Sequence, residues 1–261
     1  MSTLLKTDGL TKTYGGLNAV DNVSFSVARG ESVGIIGPNG AGKTTLFNLI
    51  SGFEPPTAGS VRFEEREIGG EAPHRIARGG MARTFQTARP FPGLTVLENL
   101  MVGALSPSIL DLGGTDEREA ERRAIDIAVR LGLERWLDRS PEQNLPYGTL
   151  KLIEVGRAMA LGGTCILLDE PFAGVSGSEA ERLLEVIQRL NREDGIAVVV
   201  IEHKLKILMR LVGRVLVLDR AGYACEGSLS RHQREYTPCL KLLDCGLPTG
   251  QRLRSTESIF Q

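Results

Sequence analysis

A chain of 261 residues, 41% hydrophobic and 24% charged, has enough apolar material for a buried core, which excludes disordered and fibrous classes and suits one large domain or a core domain with a subdomain. Its net charge of −1 gives no overall pull toward nucleic acid or anionic lipid, so nucleic acid is not an expected partner. Cys165, Cys225, Cys239 and Cys245 show no C-x-x-C spacing, no apolar run reaches a membrane span, and "MSTLLKTDGL" does not read as a secretory leader; the expectation is a cytoplasmic chain with reduced thiols, reaching a membrane only through partners.

The N-terminal third alternates β-like runs with turns: "VSFSVARGE", "SVGIIG" and "GSVRFEE", with "EPPTAGS" as the turn between the first helix and the next strand. Residues 76–105 read as loop and short helix, broken by "RPFPG". Residues 116–131 read as an amphipathic helix with an acidic start and Ile125, Ala128 and Val129 on one face. Residues 150–161 read as another, with Leu152, Val155 and Met159 on one face. A strand–helix rhythm follows. "CILLD" is a buried strand, residues 178–190 a helix with Ser178 and Glu181 in capping-box spacing, "IAVVVI" a second buried strand, residues 204–211 a helix, and "RVLVLD" a third strand. This alternation predicts an α/β domain with a mainly parallel sheet, interrupted by a helical subdomain over about residues 88–160. From residue 247 the polar, aperiodic "LPTGQRLRSTESIFQ" predicts a flexible tail.

Two motifs carry chemistry. Gly37-Pro38-Asn39-Gly40-Ala41-Gly42-Lys43-Thr44 fits G-x-x-x-x-G-K-[ST], between the strand "SVGII" and the helix "TTLFNLI" that Thr44 and Thr45 open. Small residues there let backbone N–H groups and the helix N-terminus converge on the oxygens of a polyphosphate. Lys43 adds a point charge for the β- and γ-phosphates, and Thr44 offers a hydroxyl to Mg²⁺. "CILLDEP" ends an apolar strand in two carboxylates: Asp169 is placed to hold Mg²⁺, and Glu170 to polarise an attacking water.

With these motifs in place the chain resembles an ATP-binding cassette (ABC) ATPase from about residue 4 to residue 228. Tyr14 in "LTKTYGG" falls where that family stacks an aromatic on adenine. Gln86 in "RTFQTARPF" matches the glutamine that senses Mg²⁺ and the transmembrane partner. "LPYGTLKLIEVGRAMA" (Leu145, Pro146, Tyr147 and Gly148 onward) takes the place of the L-S-G-G-Q signature, "AGVS" that of the D-loop, and His203 in "VVVIEHKLK" that of the switch histidine on the γ-phosphate. The resemblance implies a P-loop NTPase fold over residues 1–246, a mainly parallel core with an N-terminal antiparallel β subdomain and a helical signature subdomain. It implies ATP and Mg²⁺ as cofactors, Thr44, Gln86 and Asp169 around the metal, and Glu170, His203 and Gln86 in catalysis.

A narrower resemblance, carried by "GKTTLFNLISGFEPPTAGSV", "HRIARGGMARTFQTARPFPGLTVLENLMVGA" and "IEHKLKILMRLVGRVLVLD", is to one of the two ATPase subunits of bacterial branched-chain amino acid importers. It implies a second ATPase subunit in a heterodimer, two membrane permeases, an extracytoplasmic binding protein, and a peripheral place on the cytoplasmic face of the membrane. The signature departs from consensus: Pro146 replaces the phosphate-contacting serine, Tyr147 a glycine and Thr149 the glutamine, and Ser176 replaces the usual D-loop residue. Proline offers neither hydroxyl nor N–H. The run "RHQREYTPCLKLLDCG" also fits the group poorly. Two other readings stay open: a nucleotide-binding regulatory protein with weakened hydrolysis, and a non-transport ABC protein. The latter usually has two cassettes or an inserted coiled coil, whereas this chain has one cassette and no heptad array.

Overall fold

A computed structural model describes residues 2–105, 117–219 and, for the backbone alone, 222–228. The expected tail, Cys239, Cys245 and the poorly fitting C-terminal run lie outside the described residues. In chain order the elements are β1 (Thr3–Tyr14), β2 (Leu17–Ala28), β3 (Ser32–Ile36), α1 (Lys43–Ile50), β4 (Ala58–Phe63), β5 (Arg66–Glu67), α2 (Pro73–Arg78), β6 (Met81–Arg83) and α3 (Val96–Ala104). Then come α4 (Glu117–Leu131), a 3-10 turn (Glu134–Trp136), α5 (Tyr147–Ala160), β7 (Cys165–Asp169), α6 (Gly177–Arg192), β8 (Ala197–Ile201), α7 (Leu205–Leu211), β9 (Arg214–Asp219) and β10 (Gly222–Ser228). Among the described residues no helix is long and apolar enough to cross a membrane.

The chain forms two compact units. Among the described residues the first draws on 2–28, 32–71 and those from 201 to 228. Its strands run in the order β5-β4-β1-β2-β10-β9-β3. β1 pairs antiparallel with β2 and β4, which is the antiparallel region expected at the N-terminus. β3 pairs parallel with β9, residue for residue from Val33 with Arg214 to Ile36 with Val217. Val33, Ile35 and Ile36 are buried, so β3 delivers the chain to Gly37 from inside the core.

The second unit draws on residues 29–31 and 72–200. β7 lies between β6 and β8 and pairs parallel with β6, Arg83 opposite Leu167. All five residues of β7 are buried, which is why it reads as an unbroken apolar run. Helix α5 packs against α3, α4 and α6.

Several sequence expectations change. The stretch read as loop and short helix contains the strand β6, three residues too short to show a period. In α4 the buried face is Ala120, Ala124, Ile127, Ala128 and Leu131, while Ile125 and Val129 are exposed. Leu131 of that face packs onto α5 at a glycine: a Cβ at Gly156 would lie 2.8 Å from the Leu131 side chain and 2.5 Å from that of Leu100 of α3. Helix α5 starts at Tyr147, with Pro146 as its N-cap. Helix α6 starts at Gly177, so Ser176 takes the cap position and makes no side-chain cap bond, and Ser178 falls inside the first turn. A complete capping box occurs instead at Thr95 and Glu98, opening α3.

Candidate functional site

The expected site residues fall in both units. In the first unit, Gly42 caps α1 in the left-handed region, with φ 84. A Cβ there would lie 2.1 Å from the Ala19 carbonyl oxygen, so only glycine fits. Helix geometry points the first-turn N–H groups of Thr44 and Thr45 out of the helix end, at the positive end of the helix dipole. The Lys43 side chain is folded into the turn and is only 7% exposed. Its ammonium donates to the Gly37 carbonyl at 2.8 Å and the Pro38 carbonyl at 2.9 Å. Ala41 is buried beneath the turn, and Pro38, Asn39, Gly40 and Thr44 are exposed. A cation inside a loop rimmed by backbone donors is a receptor for an anion with several oxygens.

Tyr14 ends β1 and is 45% exposed. Its hydroxyl donates to the Glu54 carboxylate, which pushes the phenol up to about 12. Glu54 also accepts from Asn48 of α1 at 2.8 Å. Burial would raise the Glu54 carboxyl, but the Tyr14 and Asn48 hydrogen bonds and the Lys12 charge hold it below its usual value. His203 is exposed. The buried Glu202 carboxylate accepts the N–H groups of His203 and Lys204, each at 3.0 Å, and so fixes the turn that carries the imidazole.

In the second unit, Asp169 ends β7 and is 4% exposed. Arg83, at the end of the neighbouring β6, donates to it at 3.1 Å. Burial pushes the Asp169 carboxyl up, and the Arg83 charge opposes that. Glu170 follows with φ 47, a left-handed conformation that a branched-free but bulky side chain adopts at a cost. Gln86 donates its amide to Glu170 at 2.9 Å. Two neighbouring carboxylates are thus each held by a side chain from the short segment 83–86.

The signature region is organised differently. Leu145 and Thr149 are buried, Pro146 is extended at the cap, and Gly148 sits against Glu179, where a Cβ would approach its Cβ to 2.9 Å. Tyr147 lies over Gly174, which has φ 73 and where an added Cβ would fall 3.1 Å from the ring. Further along α5, the Lys151 ammonium donates to the Phe85 carbonyl at 3.0 Å and the Gln86 carbonyl at 2.5 Å. Glu154 accepts the Arg89 N–H at 2.8 Å. Arg157 donates to the Arg89 carbonyl at 3.1 Å and lies 4.1 Å from the Phe91 ring centroid. Sequence reasoning missed Arg83, Lys151, Glu154 and Arg157. Charges spaced along a helix read as a solvated face, and nothing local marks them as turned inward.

In the second unit Gln86 and Asp169 offer an amide oxygen and a carboxylate, and in the first Thr44 offers a hydroxyl; each is the hard-oxygen chemistry that Mg²⁺ takes. Asp169 already neutralises a cation in a buried position, which fits such a role. Among the described residues no group of three or more His, Cys, Asp and Glu could hold a metal ion.

Residues 20–173 match the family model described as ABC transporter. The chain is 37% identical over 234 residues to the high-affinity branched-chain amino acid transport ATP-binding protein BraF of Pseudomonas aeruginosa, covering 86% of this chain and 91% of that protein. Among solved structures it is similar to the ADP conformation of an ATP-binding cassette of an ABC transporter, with a TM-score of 0.81 and 33% identity over 94% of this chain and 98% of that one. It is also similar to a dimeric post-hydrolysis cassette bound to ADP and Pi, with a TM-score of 0.76 and 29% identity over 87% of this chain and 99% of that one.

Proposed function

The chain belongs to the ABC transporter family, and from that premise we propose that it is the ATP-binding and ATP-hydrolysing subunit of an importer for branched-chain amino acids or a related small amphipathic solute. The observation that carries the nucleotide reading is the cradle at the start of α1, with the Lys43 ammonium folded inside it. The importer reading is supported by likeness to BraF along most of both chains.

The roles follow from chemistry. The turn of Gly37, Pro38, Asn39, Gly40, Ala41 and Gly42 and the N–H groups of Thr44 and Thr45 bind phosphate oxygens. Lys43 exchanges its carbonyl partners for the β- and γ-phosphates, where opposite charge strengthens the hydrogen bonds. Tyr14 gives adenine a flat apolar face. Thr44, Gln86 and Asp169 would hold Mg²⁺, which supplies positive charge against the phosphates when bound. Glu170 takes a proton from water as the water oxygen bonds to the γ-phosphorus, and His203 contacts the γ-phosphate. Most of the rate gain on this reading is positioning and charge stabilisation.

ATP lies between the cradle of one subunit and the Leu145, Pro146, Tyr147 and Gly148 segment of another. The partners are a second ATPase subunit in a heterodimer, two permeases on the cytoplasmic face of the membrane, and, indirectly, an extracytoplasmic binding protein. Pro146 and the buried Thr149 weaken what this chain offers its partner's nucleotide, while its own cradle keeps every consensus residue. That asymmetry favours unequal sites, and it is the observation behind a second reading, a regulatory or non-transport ABC protein with weakened hydrolysis. The test is Glu170→Gln in the assembled complex. ATP binding is expected to persist while hydrolysis falls about a hundred- to ten-thousandfold, as for loss of a general base; a wild-type rate would remove Glu170 from this role, and a wild-type complex without ATPase activity would favour the second reading.

A further inference from the structure

The exposed ring of Tyr14 is held by two neighbours. Its hydroxyl donates to Glu54. The Lys12 ammonium stands 5.2 Å from the ring centroid, on one face, and is itself fixed by the Pro55 carbonyl at 2.8 Å and by Glu54 at 3.8 Å. Asn48 donates to the other Glu54 oxygen at 2.8 Å. Asn48 belongs to α1, the helix that begins with Lys43 and Thr44. Glu54 therefore joins a surface aromatic to the helix whose first turn forms the anion cradle. A tyrosine with 45% of its surface exposed would otherwise lose rotamer freedom whenever something stacked on it. Fixing the far end of the ring beforehand removes that cost.

We propose that Glu54 is a positioning residue for base recognition: by anchoring the Tyr14 hydroxyl and Asn48 together, it sets the ring at a fixed place relative to the phosphate-binding turn, and so favours polyphosphates that carry a base over bare polyphosphate. This rests on Tyr14 as the adenine platform. The face of the ring opposite Lys12 is the one the base takes. Glu54 does not touch the ligand in this arrangement; it acts through Tyr14.

The readout is the ratio of ATP affinity to tripolyphosphate affinity, measured by calorimetry on the full chain. Removing the Glu54 charge shifts both ligands alike, because both are polyanions, and the ratio cancels that change. Glu54→Ala and Tyr14→Phe each break the anchor and keep the ring. Each is expected to lower the ratio about three- to tenfold, the effect of one lost hydrogen bond, and the double variant to lower it no further, because both act through one bond. Additive losses, or an unchanged ratio in the two single variants, would overturn the anchor. Tyr14→Ala separates the premise from the proposal. If it lowers the ratio while Glu54→Ala and Tyr14→Phe do not, the platform stands and the anchor fails. If it leaves the ratio unchanged, the platform reading fails and the anchor falls with it.

Discussion

Helix α1 is capped by Gly42 with φ 84, and helix α5 by Pro146 with φ −53 and ψ 142. Both starts follow a motif, and neither has a side-chain cap. What holds them differs. Helix α1 is fixed by apolar packing of Leu46, Phe47, Leu49 and Ile50, and the shape of its start is set by backbone conformation. Helix α5 buries Lys151 and Glu154 and ties them, with Arg157, to the backbone of Phe85, Gln86 and Arg89. At α1 the glycines that shape the turn, Gly37 and Gly42, have no space for a Cβ and leave no room for change. At α5 the helix is located by residues one to three turns downstream. Positions 146, 147 and 149 can then depart from consensus while the helix stays where it is.

The sharpest break of that contrast is Lys151→Met. It leaves two carbonyls without their donor and removes the cation beside Glu154, whose carboxyl burial already pushes up. A stability loss of about 2–4 kcal/mol is expected by denaturant unfolding; a loss under about 1 kcal/mol would mean that apolar packing, and not the charged rack, locates α5. Next in size is Lys43→Ala. ATP affinity is expected to fall about ten- to hundredfold, from loss of charge-assisted bonds, with little change in the unfolding midpoint. A large stability loss would show that Lys43 builds its turn rather than occupying it. The smallest effect is expected from Pro146→Ser. The extended backbone at 146 suits a serine cap, so α5 gains up to about 1 kcal/mol. In a heterodimer, ATP occupancy of the partner's site is expected to rise severalfold, by one hydrogen bond, while the Lys43 site stays unchanged. A change confined to the Lys43 site would refute capping in trans.

The same contrast explains what was legible in the sequence. The cradle was readable because its glycines are demanded by local geometry, and local demands leave a fixed spacing. The strands β7, β8 and β9 were readable because burial on both faces makes each an apolar run. The rack on α5 was not readable, because its partners lie 65 to 68 residues away in the chain. The Arg83–Asp169 pair was hidden for the same reason: it depends on β6, which has no periodicity to show. The α4 face was misjudged because Ile125 and Val129 are the more apolar residues, whereas the buried ones include the small Ala120 and Ala124.

Glu170 sits at φ 47, where an ordinary side chain carries about 1 kcal/mol of strain and glycine or asparagine carries less. The backbone there is therefore at odds with the residue it bears. Glycine or asparagine at 170 would relieve that strain, so backbone stability and the proposed base make opposite demands on one position.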